Sequence, residues 1–170
     1  ELFIERSDFS DDPPDKFKRL SPGAMVRLRY AYIIRCDEVV RTASGEIESI
    51  QVTYFPDSRS GDDTSGLKPK GVIHFVAASN ARRVRVQSFG YLFRTPNPKD
   101  VHQDFNDNSV TSTEGFVESG IAQAPDAHVQ FERTGYFYRD SSSSEGLESD
   151  AIGDSLIFNR TVSLRDSWKP

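Results

Sequence analysis

The strongest candidate for chemistry in this sequence is a run of cations between residues 16 and 35, where six basic residues stand without a single acid. The 15 residues before this run carry six acids against one arginine, and the whole chain of 170 residues has a formal charge of -5. A local charge reversal of this size indicates either a surface for a charged partner or a solvated face. The six cations are Lys16, Lys18, Arg19, Arg27, Arg29 and Arg35.

Two of these arginines alternate with apolar residues, which predicts a half-buried strand over residues 25–34. On a strand, Arg27 and Arg29 would point the same way, roughly 6 to 7 Å apart. Guanidinium forks bind phosphates and base edges in a bidentate way, so such a pair suits a nucleic acid. Arg83 and Arg85 repeat this spacing on a later predicted strand. The other face of the first strand would hold Val26, Leu28 and Tyr30.

The acidic total charge argues against an indiscriminate nucleic-acid binder, because such a protein is basic overall. One basic face on an acidic protein predicts instead a specific contact that is steered locally. A solvated strand face without any partner stays open as the alternative.

Residue types that carry catalysis or bind metals occur here, but not in productive patterns. His74, His102 and His128 are too widely spaced for a recognisable metal motif. Cys36 is the only cysteine, which excludes an internal disulfide and a cysteine-based zinc site and fits a reducing cytoplasm. The serines at 141–144 lack the glycine elbow of a serine nucleophile, and no phosphate-binding glycine loop occurs. We therefore predict no catalytic, cofactor-binding or metal-binding residue in this chain.

Short stretches rich in β-branched and aromatic residues recur along the chain, and none keeps a helical period beyond about two turns. Gly45 lies in a predicted hairpin turn, and residues 56–69 form a long polar loop. Pro13-Pro14 and Pro96 to Pro98 interrupt the chain at predicted module boundaries. An all-β protein made of barrels is the expected fold, and no apolar run is long enough to span a membrane. The predicted strands cover 25–34, 50–55, 70–77, 82–93, 129–139 and 156–164, with a weaker one at 113–117.

The segment from Gln130 to Arg133 combines an amide with a guanidinium on a predicted strand. Strand alternation puts Gln130 and Arg133 on opposite faces. Both could reach one ligand only if the strand bends or bulges, for which Thr134-Gly135 is a suitable place. Phe131 and Tyr136 could stack on a base, but we expect them in the core. An ordinary edge strand is the alternative for the whole segment.

Six segments resemble the C-terminal anticodon-binding region of glutaminyl-tRNA synthetases, in the same order, and together they cover essentially the whole chain. The catalytic signatures of that synthetase class do not occur here, and the chain opens without an initiator methionine. We therefore expect a piece of a longer or processed protein, with the catalytic part before Glu1. The segments are ELFIERSDF (1–9), FKRLSPGAMVRLRYAYII (17–34), KGVIHFV (70–76), YLFRTPNP (91–98), QFERTGYF (130–137) and FNRTVSLRDSW (158–168).

The resemblance implies two small antiparallel β-barrels of the ribosomal-protein type, one proximal and one distal to the catalytic part. Residues 1–13 and 97–170 would form the proximal barrel, and residues 14–96 the distal one. These bounds agree with the boundaries predicted from proline and charge.

The resemblance also implies a site for RNA. Lys18, Arg19 and Arg27 match positions that contact the outer anticodon bases and nearby phosphates. Gln130 and Arg133 match positions around the middle base, a uridine in glutamine tRNAs. The predicted RNA-binding residues are completed by Lys16, Arg29 and Arg165, the last matching a position near the anticodon stem-loop.

The implied function is tRNA anticodon recognition for a glutamine–tRNA ligase, which joins glutamine to its tRNA with ATP. ATP and glutamine would bind the missing catalytic domain, so no cofactor is expected in this chain. The expected partners are the anticodon stem-loop and the protein's own N-terminal catalytic domain, in a cytoplasmic monomer away from any membrane. Two alternatives stay open: the same region of an archaeal or eukaryotic-type glutamyl-tRNA synthetase, and a protein-interaction β-barrel that binds no RNA.

Overall fold

Strands make up most of the regular structure in this computed structural model, which describes residues 1–124, 127–141 and 156–164. The mainly β fold predicted from the sequence is thereby confirmed. The eleven strands among these residues are β1 (Leu2–Phe3), β2 (Met25–Leu28), β3 (Ile33–Arg41), β4 (Ile47–Phe55), β5 (Val72–Ile73), β6 (Val76–Ala77), β7 (Ala81–Phe89), β8 (Val110–Glu118), β9 (His128–Phe131), β10 (Gly135–Arg139) and β11 (Leu156–Ser163).

One short α-helix, α1 (Val101–Asp104), lies between β7 and β8. It begins where the Asp100 side chain accepts hydrogen bonds from the backbone N–H groups of His102 and Gln103. Within the described residues, no helix is long and apolar enough to cross a membrane.

The chain divides into two compact units, Glu1–Ser79 (unit 1) and Asn80–Pro170 (unit 2). β1, at the start of the chain, pairs with β6 within unit 1, and β7 pairs with β8 and β11 within unit 2. The proximal barrel of residues 1–13 and 97–170 and the distal barrel of residues 14–96 stay a prediction, as does the closure of the sheets into barrels.

Unit 1 is built on a four-stranded sheet in the order β4-β3-β2-β5. β3 and β4 form the predicted hairpin, and Gly45 in its turn has φ +85, which glycine adopts at little cost. β2 pairs antiparallel with β3 and parallel with β5. The residues buried in its core are Phe9, Leu20, Val26, Leu28, Ile34, Cys36 and Ile73.

The strand predicted over 25–34 ends early. β2 stops at Leu28, whose carbonyl oxygen accepts a hydrogen bond from the Ala31 N–H (2.9 Å) in a tight turn. Tyr30 in this turn has φ +60 and is 79% exposed, so its predicted place on the buried face is wrong. A left-handed tyrosine breaks the period of two, and alternation alone gives no sign of it.

The strand predicted over 70–77 consists of two strands of two residues each. β5 extends the sheet beside β2, whereas β6 pairs with β1. The chain therefore changes its pairing partner between Ile73 and Val76, from β2 to β1.

Unit 2 contains a five-stranded sheet in the order β8-β7-β11-β10-β9. β7 and β11 run parallel and the other neighbours antiparallel, so the four-stranded and the five-stranded sheet each contain one parallel pair among mostly antiparallel neighbours. The Phe131 ring packs against Phe137 and Phe158, with ring centroids 4.6 and 5.1 Å apart. Val84 and Leu156 complete this buried core. Among the strands that the structure describes, β9 lies at the edge of this sheet.

Candidate nucleic-acid interface

A groove of about 670 Å³ in unit 1 brings together part of the cationic run. Residues from three segments line it: 13–19, 21–25 and 68–71. Lys16 and Lys18 are exposed there, and Lys16 has φ +65, a left-handed value that is uncommon outside glycine, asparagine and aspartate. The groove therefore places several cations of the predicted site on one concave surface.

Arg19 also lines the groove, but its guanidinium is partly used within the protein. It forms an ion pair with the carboxylate of Asp8 (2.9 Å) and donates to the carbonyl oxygen of Ser7 (2.9 Å). Asp8 is fully buried, whereas the Arg19 side chain keeps 38% of its surface exposed. Arg19 therefore balances a buried charge and has only part of its donor set available for a ligand.

Arg27 on β2 is held by the long polar loop at 56–69. Its guanidinium donates to the Ser58 carbonyl oxygen (2.6 Å) and to the Ala31 carbonyl oxygen (3.4 Å), and it pairs with the Asp63 carboxylate. Hydrogen bonds from the hydroxyl and N–H of Ser65, and then the Arg27 charge, lower the pKa of Asp63. The Arg27 side chain is 20% exposed. The Asp63 carboxylate thus occupies part of the Arg27 guanidinium, which was predicted to contact RNA.

Arg29 and Tyr30 lie in the turn after β2, so the predicted pair of arginines on one strand is not formed as such. The Arg29 guanidinium stacks over the Tyr30 ring at 4.9 Å from its centroid and donates to the Tyr30 hydroxyl at 3.2 Å. This cation–π contact presents an exposed aromatic ring beside a cation, a combination that single-stranded bases bind. Later in the chain, Arg83 pairs with Glu114.

Gln130 and Arg133 belong to the β9–β10 hairpin of unit 2. Gln130 is exposed on β9, while Arg133 lies in the turn with φ +65, and not on a strand as predicted. The N–H of Thr134 donates to the Phe131 carbonyl oxygen (3.0 Å) and closes this turn. Phe131 then pairs with Gly135 in the ladder. The chain therefore reverses in a hairpin turn at the place where the sequence predicted a bend in the strand.

The two aromatic residues of this hairpin have different environments. Phe131 lies against the core of unit 2, as predicted. Tyr136 is 46% exposed, so its predicted burial is wrong. It lies directly opposite Gln130 in the antiparallel register, which puts an exposed ring next to an exposed amide.

Two further lysines, Lys68 and Lys70, line the groove of unit 1, although no motif in the sequence marked them as site residues. Their spacing could have identified them, because Lys-Pro-Lys at 68–70 repeats the pattern of Lys-Phe-Lys at 16–18. Arg165, the last of the predicted site residues, lies outside the residues that the structure describes.

The described part of the chain contains no group of His, Cys, Asp and Glu arranged to hold a metal ion. Cys36 is buried in the core of unit 1, and burial raises the pKa of its thiol. A buried thiol that stays protonated is a packing residue, because the thiolate is the reactive form.

Two family models with the same description, class I tRNA synthetases (E and Q), anti-codon binding domain, match this chain. One matches residues 1–55 and the other residues 72–140. The first match includes Lys16, Lys18 and Arg19 of the groove, and the second includes the β9–β10 hairpin.

Several relatives named Glutamine–tRNA ligase align with 99% of the chain. The protein of Nitrobacter hamburgensis is 43% identical over 171 residues, that of Rhodopirellula baltica 42% over 176, and that of Vibrio parahaemolyticus 41% over 172. The chain spans only 29%, 28% and 30% of the lengths of these relatives, respectively.

Proposed function

This chain belongs to the anticodon-binding domain family of class I tRNA synthetases for glutamate and glutamine, and on that premise we propose that it recognises the anticodon stem-loop of a glutamine tRNA. The observation that carries the proposal is the alignment of 99% of the chain with glutamine–tRNA ligases at 43% identity. The cationic groove and the exposed β9–β10 hairpin support it.

The β9–β10 hairpin carries groups that suit an unpaired base. Bases in RNA loops expose their Watson–Crick edges, and RNA sequence is read there. Gln130 offers one amide donor and one carbonyl acceptor, which match a uracil edge. The Tyr136 ring beside it provides a surface for stacking, and the Arg133 fork suits a phosphate or a guanine.

The cations of unit 1 have a complementary role. Lys16 and Lys18 are exposed point charges that suit phosphates, whereas the forks of Arg19 and Arg27 are already aligned by internal carboxylates. Phosphate contacts fix the position of a nucleic acid and base contacts specify its sequence. Unit 1 therefore contributes both positioning and the reading of outer anticodon bases.

The whole protein, in this proposal, is a glutamine–tRNA ligase that attaches glutamine to its tRNA with ATP. ATP and glutamine bind its catalytic domain, outside this chain, and that domain is the chain's second partner. The protein acts as a cytoplasmic monomer, where a single reduced cysteine such as Cys36 is normal. A glutamate-specific synthetase is the second candidate, because the matching family covers both amino acids.

Binding of the full-length protein to three hairpins tests the proposal. They carry the glutamine anticodon, the glutamate anticodon, or the glutamine anticodon with its middle base changed. We expect the first to bind tightest, by about 1 to 3 kcal/mol per altered base, with affinity falling as salt rises. Equal affinity for all three would overturn the proposal, tightest binding of the glutamate hairpin would favour the second candidate, and salt-independent binding would favour a protein-interaction barrel.

A further inference from the structure

Four of the six lysines in the chain line one groove of unit 1. They form two Lys-x-Lys pairs from distant parts of the sequence, Lys16 with Lys18 and Lys68 with Lys70. All four are exposed, and Asp15 is the one acid among the described residues that line the groove. This lysine groove is therefore a positive surface on an acidic protein.

The lysines and arginines of unit 1 are used differently. Four of its arginines each form an ion pair with an aspartate, whereas the four ammonium groups of the lysine groove have no hydrogen-bond or ion-pair partner in the described part of the chain. The charge of the lysines is therefore available to a ligand. The arginine pairs are Arg19–Asp8, Arg27–Asp63, Arg35–Asp37 and Arg41–Asp11.

Gly71 fixes the two lysine pairs relative to each other. A Cβ at this position would lie 1.6 Å from the carbonyl oxygen of Lys18, so only glycine allows the two segments to approach this closely. The carbonyl oxygen of Gly71 also accepts a hydrogen bond from the Arg27 N–H (2.9 Å), which ties the segment to β2. The lysine groove is thus held by backbone contacts before any ligand binds.

We propose that the lysine groove binds the sugar–phosphate backbone of single-stranded RNA, with Lys68 and Lys70 as phosphate contacts in addition to Lys16 and Lys18. This inference rests on the proposed function, because the strand it binds is the anticodon loop. An ammonium group attracts phosphate as a compact point charge and lacks the fork that reads a base edge. Lys68 and Lys70 lie between the two family matches at 1–55 and 72–140. Their role is to position the loop and not to select its sequence.

The test compares the full-length protein with its Lys68→Gln/Lys70→Gln variant, using Lys99→Gln, a lysine of unit 2, as the matched control. Affinity is measured for the glutamine hairpin, a hairpin with an altered middle base, and oligouridine, at several salt concentrations. The salt slope should fall by about 0.7 for each phosphate that a lysine no longer neutralises, or roughly 1.4 for two phosphates. When the salt concentration rises fourfold, the affinity of the parent should therefore fall by a factor roughly seven times larger than that of the double variant.

The double variant should lose the same factor of affinity for both hairpins, so that the ratio between them stays that of the parent. An unchanged salt slope, or a weakening confined to the glutamine hairpin, would overturn the inference. If the proposed function is wrong, the parent protein itself should bind the two hairpins with equal affinity. A reduced salt slope on oligouridine would still support a backbone site in that case.

Discussion

The guanidinium of Arg27 on β2 pairs with the carboxylate of Asp63, which lies 36 residues later in the polar loop at 56–69. The same guanidinium donates to the carbonyl oxygen of Ser58 (2.6 Å), so one side chain ties this loop to the sheet at two points. Long loops are uncommon in compact units, and these two contacts attach this loop to β2. An arginine expected to contact RNA therefore has a structural role in the unbound chain, and Asp63 holds its fork in place.

The first prediction concerns the acid–base behaviour of this pair. We expect the pKa of Asp63 to lie below its ordinary value of 3.8, chiefly because the Ser65 hydroxyl and N–H donate to its carboxylate and secondarily because Arg27 is near. Ser65→Ala and Arg27→Gln should each raise this pKa, as followed by NMR of the carboxyl carbon during acid titration. Ser60→Ala is the control, because its hydroxyl donates to the Ala31 carbonyl oxygen instead. An unchanged pKa of Asp63 in Ser65→Ala would contradict the assigned cause.

The second prediction follows for stability as a function of pH. A carboxyl with a depressed folded pKa stabilises the fold above its unfolded pKa, and the contribution is lost as the pH falls through the folded pKa. Asp63 behaves in this way, and so does Asp37, whose pKa is lowered by the Thr53 hydroxyl and by Arg35. The urea midpoint of unit 1 should be insensitive to these two groups above roughly pH 5 and fall below roughly pH 4. An Asp37→Asn/Asp63→Asn variant should show a shallower fall, and an identical acid profile would refute the prediction.

The third prediction separates two neighbouring cations of the groove. Arg19→Gln should destabilise unit 1 by about 1 to 3 kcal/mol, because the buried Asp8 carboxylate loses a charged donor. Lys18→Gln, the matched control, should change stability by less than about 0.5 kcal/mol, since its side chain is exposed. Urea unfolding measures both variants. Equal destabilisation by the two would show that the Arg19–Asp8 pair is not structural.

Much of the fold follows from local patterns. Alternation predicted the strands that contain Val26 and Val84, and Gly45 correctly located the β3–β4 hairpin. These predictions succeed because one buried face and a glycine turn leave a local trace in the sequence. The same reasoning correctly expected Phe131 in the core.

The remaining features depend on contacts between distant residues. Tyr30 adopts a left-handed turn, and the division of residues 70–77 reflects pairing with β2 on one side and β1 on the other. The Arg27–Asp63 pair and the approach of Gly71 to Lys18 likewise join segments far apart in the chain. Alternation and charge clustering report on neighbours in sequence, so they identified the cations but not which of them are paired internally.

The fourth prediction uses the close approach of Gly71 to the Lys18 carbonyl oxygen. Gly71→Ala should destabilise unit 1 by about 1 to 3 kcal/mol or more, because the backbone must move to accept a Cβ. Gly115→Ala on β8 is the control, since a Cβ there meets no atom within 4 Å. In the 170-residue chain Cys36 is the only thiol and is buried, so its rate of labelling by a thiol reagent reports the opening of unit 1. Labelling should accelerate in Gly71→Ala alone. Equal rates in the two variants would show that the backbone moves to accept the Cβ at little cost in the free energy of unfolding.

The fifth prediction distinguishes backbone strain from binding at Arg133, which has φ +65 in the β9–β10 turn. A left-handed conformation costs a non-glycine residue about 1 to 2 kcal/mol, whereas glycine costs about 0.5 to 1 kcal/mol in chain entropy. Arg133→Gly should therefore unfold at the same or a higher urea concentration, yet bind the glutamine hairpin about 1 to 3 kcal/mol more weakly. Arg133→Ala should lose the same affinity without any gain in stability. If Arg133→Gly bound matched and mismatched hairpins as the parent does, Arg133 would be a turn residue only, because its side chain would contribute nothing to reading the base.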